Sequence, residues 1–146
     1  MNEPYQIPRD QARVDANHLQ LLSIFHFVAA ALSLFGILFL IIHYTIFHTI
    51  LTNPKMWENS KQAPPPAAFA QMFEIFKWFY LLGALWFICS GILNVISAFY
   101  LRTHKHRTFS LIVAGLNCVH LPLGTVLGIF TIIVLVRDSV RKAYHD

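Results

Sequence analysis

Apolar residues in this chain do not alternate with polar ones; they come in long blocks. No Lys, Arg, Asp or Glu lies between Ala16 and Pro54, between Trp78 and Leu101, or between Thr108 and Val136. A helix lying on a soluble core needs one apolar stripe and a polar back. These blocks are apolar all round, and each exceeds the roughly 20 residues that span a bilayer. They predict membrane helices. The first should run from about residue 18 to 47, with Asn17 placed to cap it, and the second from about 69 to 101. At helical rise both are longer than a hydrocarbon core of about 30 Å, so both should tilt or protrude.

The third block poses a question of topology. Positive charge concentrates on the cytoplasmic side of membrane proteins. With the N-terminus cytoplasmic, two passes through the block leave Arg9, Arg13, Arg102, Lys105, Arg107, Arg137, Arg141 and Lys142 inside. Only Lys55, Lys61 and Lys77 then lie outside. A single pass would move Arg137, Arg141 and Lys142 outside and erase the bias. Pro122 removes a helical N–H, and Gly124 follows it closely. The block therefore predicts a helical hairpin, 107–120 and 122–137, bent near His120 to Pro122. Both helices are short for a bilayer, so the bend needs shelter or a thinned membrane. The predicted fold is all-α, a single domain forming an integral membrane four-helix bundle: two long helices plus a shorter C-terminal helical hairpin.

Between the long helices, residues 48–68 read as an extracytoplasmic loop. Asn53-Pro54 stops a helix, Pro64-Pro65-Pro66 is a stiff spacer, and Trp57 suits a lipid interface. Glu74 and Lys77 stand three apart and should pair on one helix face.

In lipid, helices associate through small residues and interhelical hydrogen bonds. Each predicted helix carries such residues at i, i+3/i+4 spacing. Ser23, His26, Ala30 and Ser33, with Gly36 nearby, mark the first. Gly83, Ser90, Asn94 and Ser97 mark the second; Ser110, Ala114 and Asn117 the third; Gly124, Gly128 and Thr131 the fourth. Gly83, Ser90, Gly124 and Gly128 are the expected packing positions. His26, Asn94, Asn117 and Thr131 fall at similar depth from the cytoplasmic charges. They could form one hydrogen-bonded layer and are the candidate binding residues.

Composition narrows the chemistry. The chain has 146 residues, 56% hydrophobic and 12% charged, where soluble domains carry about 25% charged. Its mean hydropathy is +0.55. The net charge of +4 comes from residues flanking membrane segments, so topology explains it and nucleic acid is not an expected partner. Arg102, Lys105 and Arg107, in the "RTHKHR" loop with His104 and His106, suit anionic lipid headgroups. Cys89 and Cys118 have no ligand spacing, so no disulfide framework or metal site is implied. The first apolar block is too long for a signal-peptide core and should remain as a helix. No intramembrane carboxylate or cationic residue suggests a pump, no internal repeat suggests an alternating-access carrier, and no hydrolase or nucleotide motif is present.

Two stretches, "HLQLLSIFHF" and "RTFSLIVAGLNCVHLPLGTVLGIFTIIVLVRDSVRKAY", carry a resemblance. The second resembles the C-terminal hairpin of small four-helix bacterial inner-membrane proteins of uncharacterised function. Its pattern is an Ala-Gly pair, then Pro-x-Gly-x-x-x-Gly, then Phe-Thr and a closing Arg. Together the stretches cover about a third of the chain. The resemblance implies four passes and a bacterial inner membrane; the charge count is what puts both termini in the cytoplasm. It implies no catalytic residue.

The sequence thus predicts a non-enzymatic membrane protein without a cofactor. It would serve as accessory subunit, scaffold or homo-oligomer through lipid and helix contacts. A small-molecule permeation or binding bundle built on His26, Asn94 and Asn117 is an alternative. A haem or quinone redox subunit using His43 and His120 is another.

Overall fold

The computed structural model describes residues 9–53, 55 and 67–144, and among these every regular element is a helix. In chain order they are α1 (Arg9–Thr52), α2 (Ala67–Thr103), α3 (Arg107–Asn117), α4 (Leu123–Val136) and α5 (Asp138–Ala143). The residues Trp57, Lys61 and Pro64 to Pro66 of the expected loop lie outside the described residues.

α1 begins well before His18. Its charged first turns suit a helix: Asp10 sits in the first turn, beside the positive end of the helix dipole. Gln11 Nε2 also donates to Asp15 Oδ1 one turn on, at 3.0 Å. Asn17 therefore lies inside α1 and caps nothing. The far end reaches Thr52, where the Thr45 and Thr52 hydroxyls donate back to the Ile41 and His48 carbonyls. Asn53 Oδ1 then accepts the Lys55 amide, a local turn that Asn favours. Both α1 and α2 are long and apolar enough to cross a membrane, and 11% and 6% of their most apolar stretches are buried within the chain.

The "RTHKHR" turn is built without glycine. His104 takes φ 53° just past α2, and the Lys105 amide donates to the Tyr100 carbonyl at 3.2 Å. That six-to-one bond is the Schellman ending, usually made with Gly in the left-handed position. His106, at φ 48°, then starts α3.

α3 and α4 run antiparallel. Arg107 Nε at the start of α3 donates to the Leu135 carbonyl near the end of α4 at 2.7 Å. Midway, a Cβ on Gly128 would strike the Ala114 carbonyl oxygen and lie 2.6 Å from Cys118 Sγ. At the bend, a Cβ on Gly124 would strike His120 and approach the Asn117 carbonyl oxygen to 2.6 Å. The glycines let two backbones approach where no side chain fits. The turn holds a cis Leu121–Pro122 bond, and Pro122 stands just before α4.

The helices belong to two compact units, Met1–Ala31 with Gly91–Asp146, and Leu32–Ser90. In the first, Leu19, Leu22, Leu101, Val134, Leu135, Val140 and Tyr144 form one apolar cluster. It joins the start of α1 to the ends of α2 and α4 and to α5. In the second, the two long helices run antiparallel through a ladder of pairs. Gly36 faces Phe87, Gly83 faces Leu40, and His43 Nδ1 lies 2.6 Å from the Tyr80 hydroxyl. Tyr44 stacks on Phe73 with ring centres 5.5 Å apart. Glu74 and Lys77 form the expected exposed pair on α2.

Candidate functional site

The buried polar side chains of the first unit make the candidate site. Ser23 and His26 on α1, Asn94 and Ser97 on α2, Ser110 and Asn117 on α3, and Thr131 on α4 are all buried. The pairs on α1 and α2 are three residues apart and the pair on α3 seven, which keeps each pair on one helical face.

Only part of this set is bonded across helices. Asn94 Nδ2 donates to Asn117 Oδ1 at 3.0 Å, and Asn117 Nδ2 returns the bond to Asn94 Oδ1 at 2.8 Å. Ser23 Oγ donates across to the Ala98 carbonyl at 2.8 Å. His26 and Thr131 bond inside their own helices instead. Thr131 Oγ1 donates to the Leu127 carbonyl at 2.8 Å, and His26 Nδ1 lies 3.0 Å from the Leu22 carbonyl. A carbonyl only accepts, so the His26 proton sits on Nδ1. In the uncharged ring Nε2 is then an acceptor. His26 Nε2, Ser97 Oγ and Ser110 Oγ are buried with no partner among the described residues. Chemically, these three groups offer one acceptor and two hydroxyls, and none of them is a carboxylate.

The packing positions divide between the units. Gly124 and Gly128 pack inside the α3–α4 hairpin, and a Cβ on Gly83 would lie 3.2 Å from Leu40 Cδ1. Ser90 is half-buried. The basic loop residues have distinct surroundings. Lys105 is exposed, and Arg102 lies 5.7 Å over the Phe27 ring. Arg107 is half-buried and its Nε donates to the Leu135 carbonyl, so part of its guanidinium is committed within the protein.

The sequence reading did not anticipate a polar cluster at the charged end of this unit. Asp15 is buried, with Arg137 Nη1 3.6 Å from its Oδ1. The same nitrogen lies 3.3 Å from His18 Nδ1. Guanidinium nitrogens only donate, so His18 Nδ1 accepts there. Asp15 and Arg137 stand just outside the charge-free blocks, and that flanking position was the available signal. Of the residues raised for haem, His43 is bonded to Tyr80 in the second unit, and His120 sits in the α3–α4 turn. Among the described residues, no group of three His, Cys, Asp or Glu side chains could hold a metal ion.

No protein-family model matches the chain, and neither does any curated protein or solved structure.

Proposed function

We propose that this chain is a multi-pass protein of the bacterial inner membrane, a non-enzymatic accessory subunit, scaffold or homo-oligomer. One observation carries the reading: several polar side chains are fully buried while many large apolar ones face outward. His26, Ser23, Ser97 and Thr131 are fully buried, while Leu34 and Phe35 are 68% exposed and Leu121 is 82% exposed. In water that arrangement is costly twice over, for exposed apolar surface and for desolvated polar groups. In hydrocarbon the outward residues cost nothing, and inward polar groups hold helices together. The low burial of α1 and α2 also separates them from core helices of a soluble fold.

The charge pattern supports a cytoplasmic position for both ends. Arg102, Arg107 and Arg137 gather around the cluster formed by Leu19, Leu101, Leu135 and Tyr144. Positive charge collected at one end is the expected cytoplasmic signature. The resemblance of the C-terminal stretch to small bacterial membrane proteins supports the inner-membrane part of the reading. One observation favours helix contacts: Asn94 and Asn117 exchange two hydrogen bonds across α2 and α3.

A second reading, a small-molecule binding bundle, draws on His26 Nε2, Ser97 Oγ and Ser110 Oγ. The two readings separate in mild detergent. Native mass spectrometry and cross-linking from intact membranes should show a companion subunit or a second copy. A monomer that captures neither, but carries a small molecule lost on His26→Leu, would replace the scaffold with the binding bundle.

A further inference from the structure

We infer that the α3–α4 hairpin is re-entrant: it enters the bilayer from the charged end, seats its tip among acyl chains, and turns back without crossing. This rests on the membrane reading proposed above.

Length is the first argument. α3 has 11 residues and α4 has 14. At helical rise these span about 17 and 21 Å, against a hydrocarbon core of about 30 Å. Depth is the second. Asn117, the last residue of α3, is bonded to Asn94. Asn94 lies two turns before Arg102 on α2, about 12 Å at helical rise. One further turn of chain brings the tip to about 17 Å, near the bilayer midplane. Arg107 and Arg137 hold the other end of the hairpin at the charged belt.

Most of the turn's amides are also paired locally. Irregular backbone in hydrocarbon is excluded because its polar groups go unpaired. Here the amides from Cys118 to Leu121 are all donated within the turn. Cys118 donates to Ala114 and Gly115, Val119 to Leu116, His120 to Asn117, and Leu121 to Val119. Pro122 has no N–H to donate. The Thr125 amide donates to the His120 carbonyl, and Thr125 Oγ1 donates to the Cys118 carbonyl at 2.8 Å. Outward, the tip shows Val119 at 68%, Leu121 at 82% and Leu123 at 68% exposure. These are aliphatic groups without a hydrogen-bonding atom, and acyl chains are the occupant that matches them.

The test uses single cysteines in the full chain, with Cys89→Ser and Cys118→Ala as background. Lys105→Cys should react with a membrane-impermeant maleimide only from the cytoplasmic face, and Thr49→Cys only from the opposite face. Leu121→Cys and Leu123→Cys should react from neither until detergent is added. A nitroxide attached to either tip variant should collide strongly with oxygen and weakly with a nickel chelate. Reaction of both tip variants from the far face would show a crossing hairpin, and reaction from the cytoplasmic face a surface one; either overturns the proposal. Weak oxygen collision would put protein, not lipid, at the tip and also overturn it. If one tip variant fails to accumulate, the other carries the test. Failure of the membrane reading looks different: both control positions react from either side, in protein released by carbonate.

Discussion

Asn94 and Asn117 exchange two amide hydrogen bonds in a buried setting, so each side chain is the other's partner. Replacing either one removes both bonds between them and leaves buried amide groups short of a partner, which costs about 1–3 kcal/mol, whereas replacing both by apolar groups is milder. Asn94→Leu and Asn117→Leu should each lower stability in detergent unfolding. The double variant should lose clearly less than the sum of the two. An additive double variant would show that the pair does not act as a unit.

Gly128 and Gly115 should respond in opposite directions. A Cβ at Gly128 meets the Ala114 backbone, while one at Gly115 meets nothing within 4 Å. Gly128→Ala should open the hairpin and cost on the order of 1–3 kcal/mol. Gly115→Ala should raise stability by up to about 1 kcal/mol, through helix propensity alone. Thermal unfolding of the two variants side by side checks the contrast.

Arg137 neutralises the buried Asp15 carboxylate and donates to His18. Because Arg137 is itself 39% exposed, its loss should cost on the order of 1 kcal/mol rather than a fully buried pair's larger penalty. Arg137→Ala should therefore destabilise, and adding Asp15→Asn should recover part of the loss. Chemical unfolding of the single and double variants measures the recovery.

Thr131 is buried, yet its hydroxyl donates within α4. Thr131→Val removes donor and demand together, so the change should stay within about 0.5 kcal/mol. A large loss would mean that the hydroxyl serves something beyond Leu127.

The charge-free blocks made the long helices legible, because bulk hydropathy over a span needs no partner information. Pro122 with Gly124 marked the bend for the same local reason. Helical spacing put Asn94 and Asn117 on buried faces and made their pairing a reasonable expectation. It could not tell that His26 and Thr131 would turn to their own helices, since a carbonyl four residues back is always in reach. The start of α1 is not marked by loss of charge: Asp10, Arg13 and Asp15 are compatible with helix and only incompatible with lipid. Asp15, His18 and Arg137 were missed because their meeting depends on how distant segments fold together. The left-handed His104 was equally hidden, since Gly is the usual mark of that ending.

The separation of those partners along the chain has a consequence for biosynthesis. His18 and Arg137 are 119 residues apart. At ribosomal rates of about 5–20 residues per second, α1 waits on the order of ten seconds for its arginine. During that interval Asp15 has no counter-charge and Leu19 has neither Val140 nor Tyr144 to pack against. The charged end of this unit therefore closes late, only once the segment from Arg137 to Tyr144 has been made.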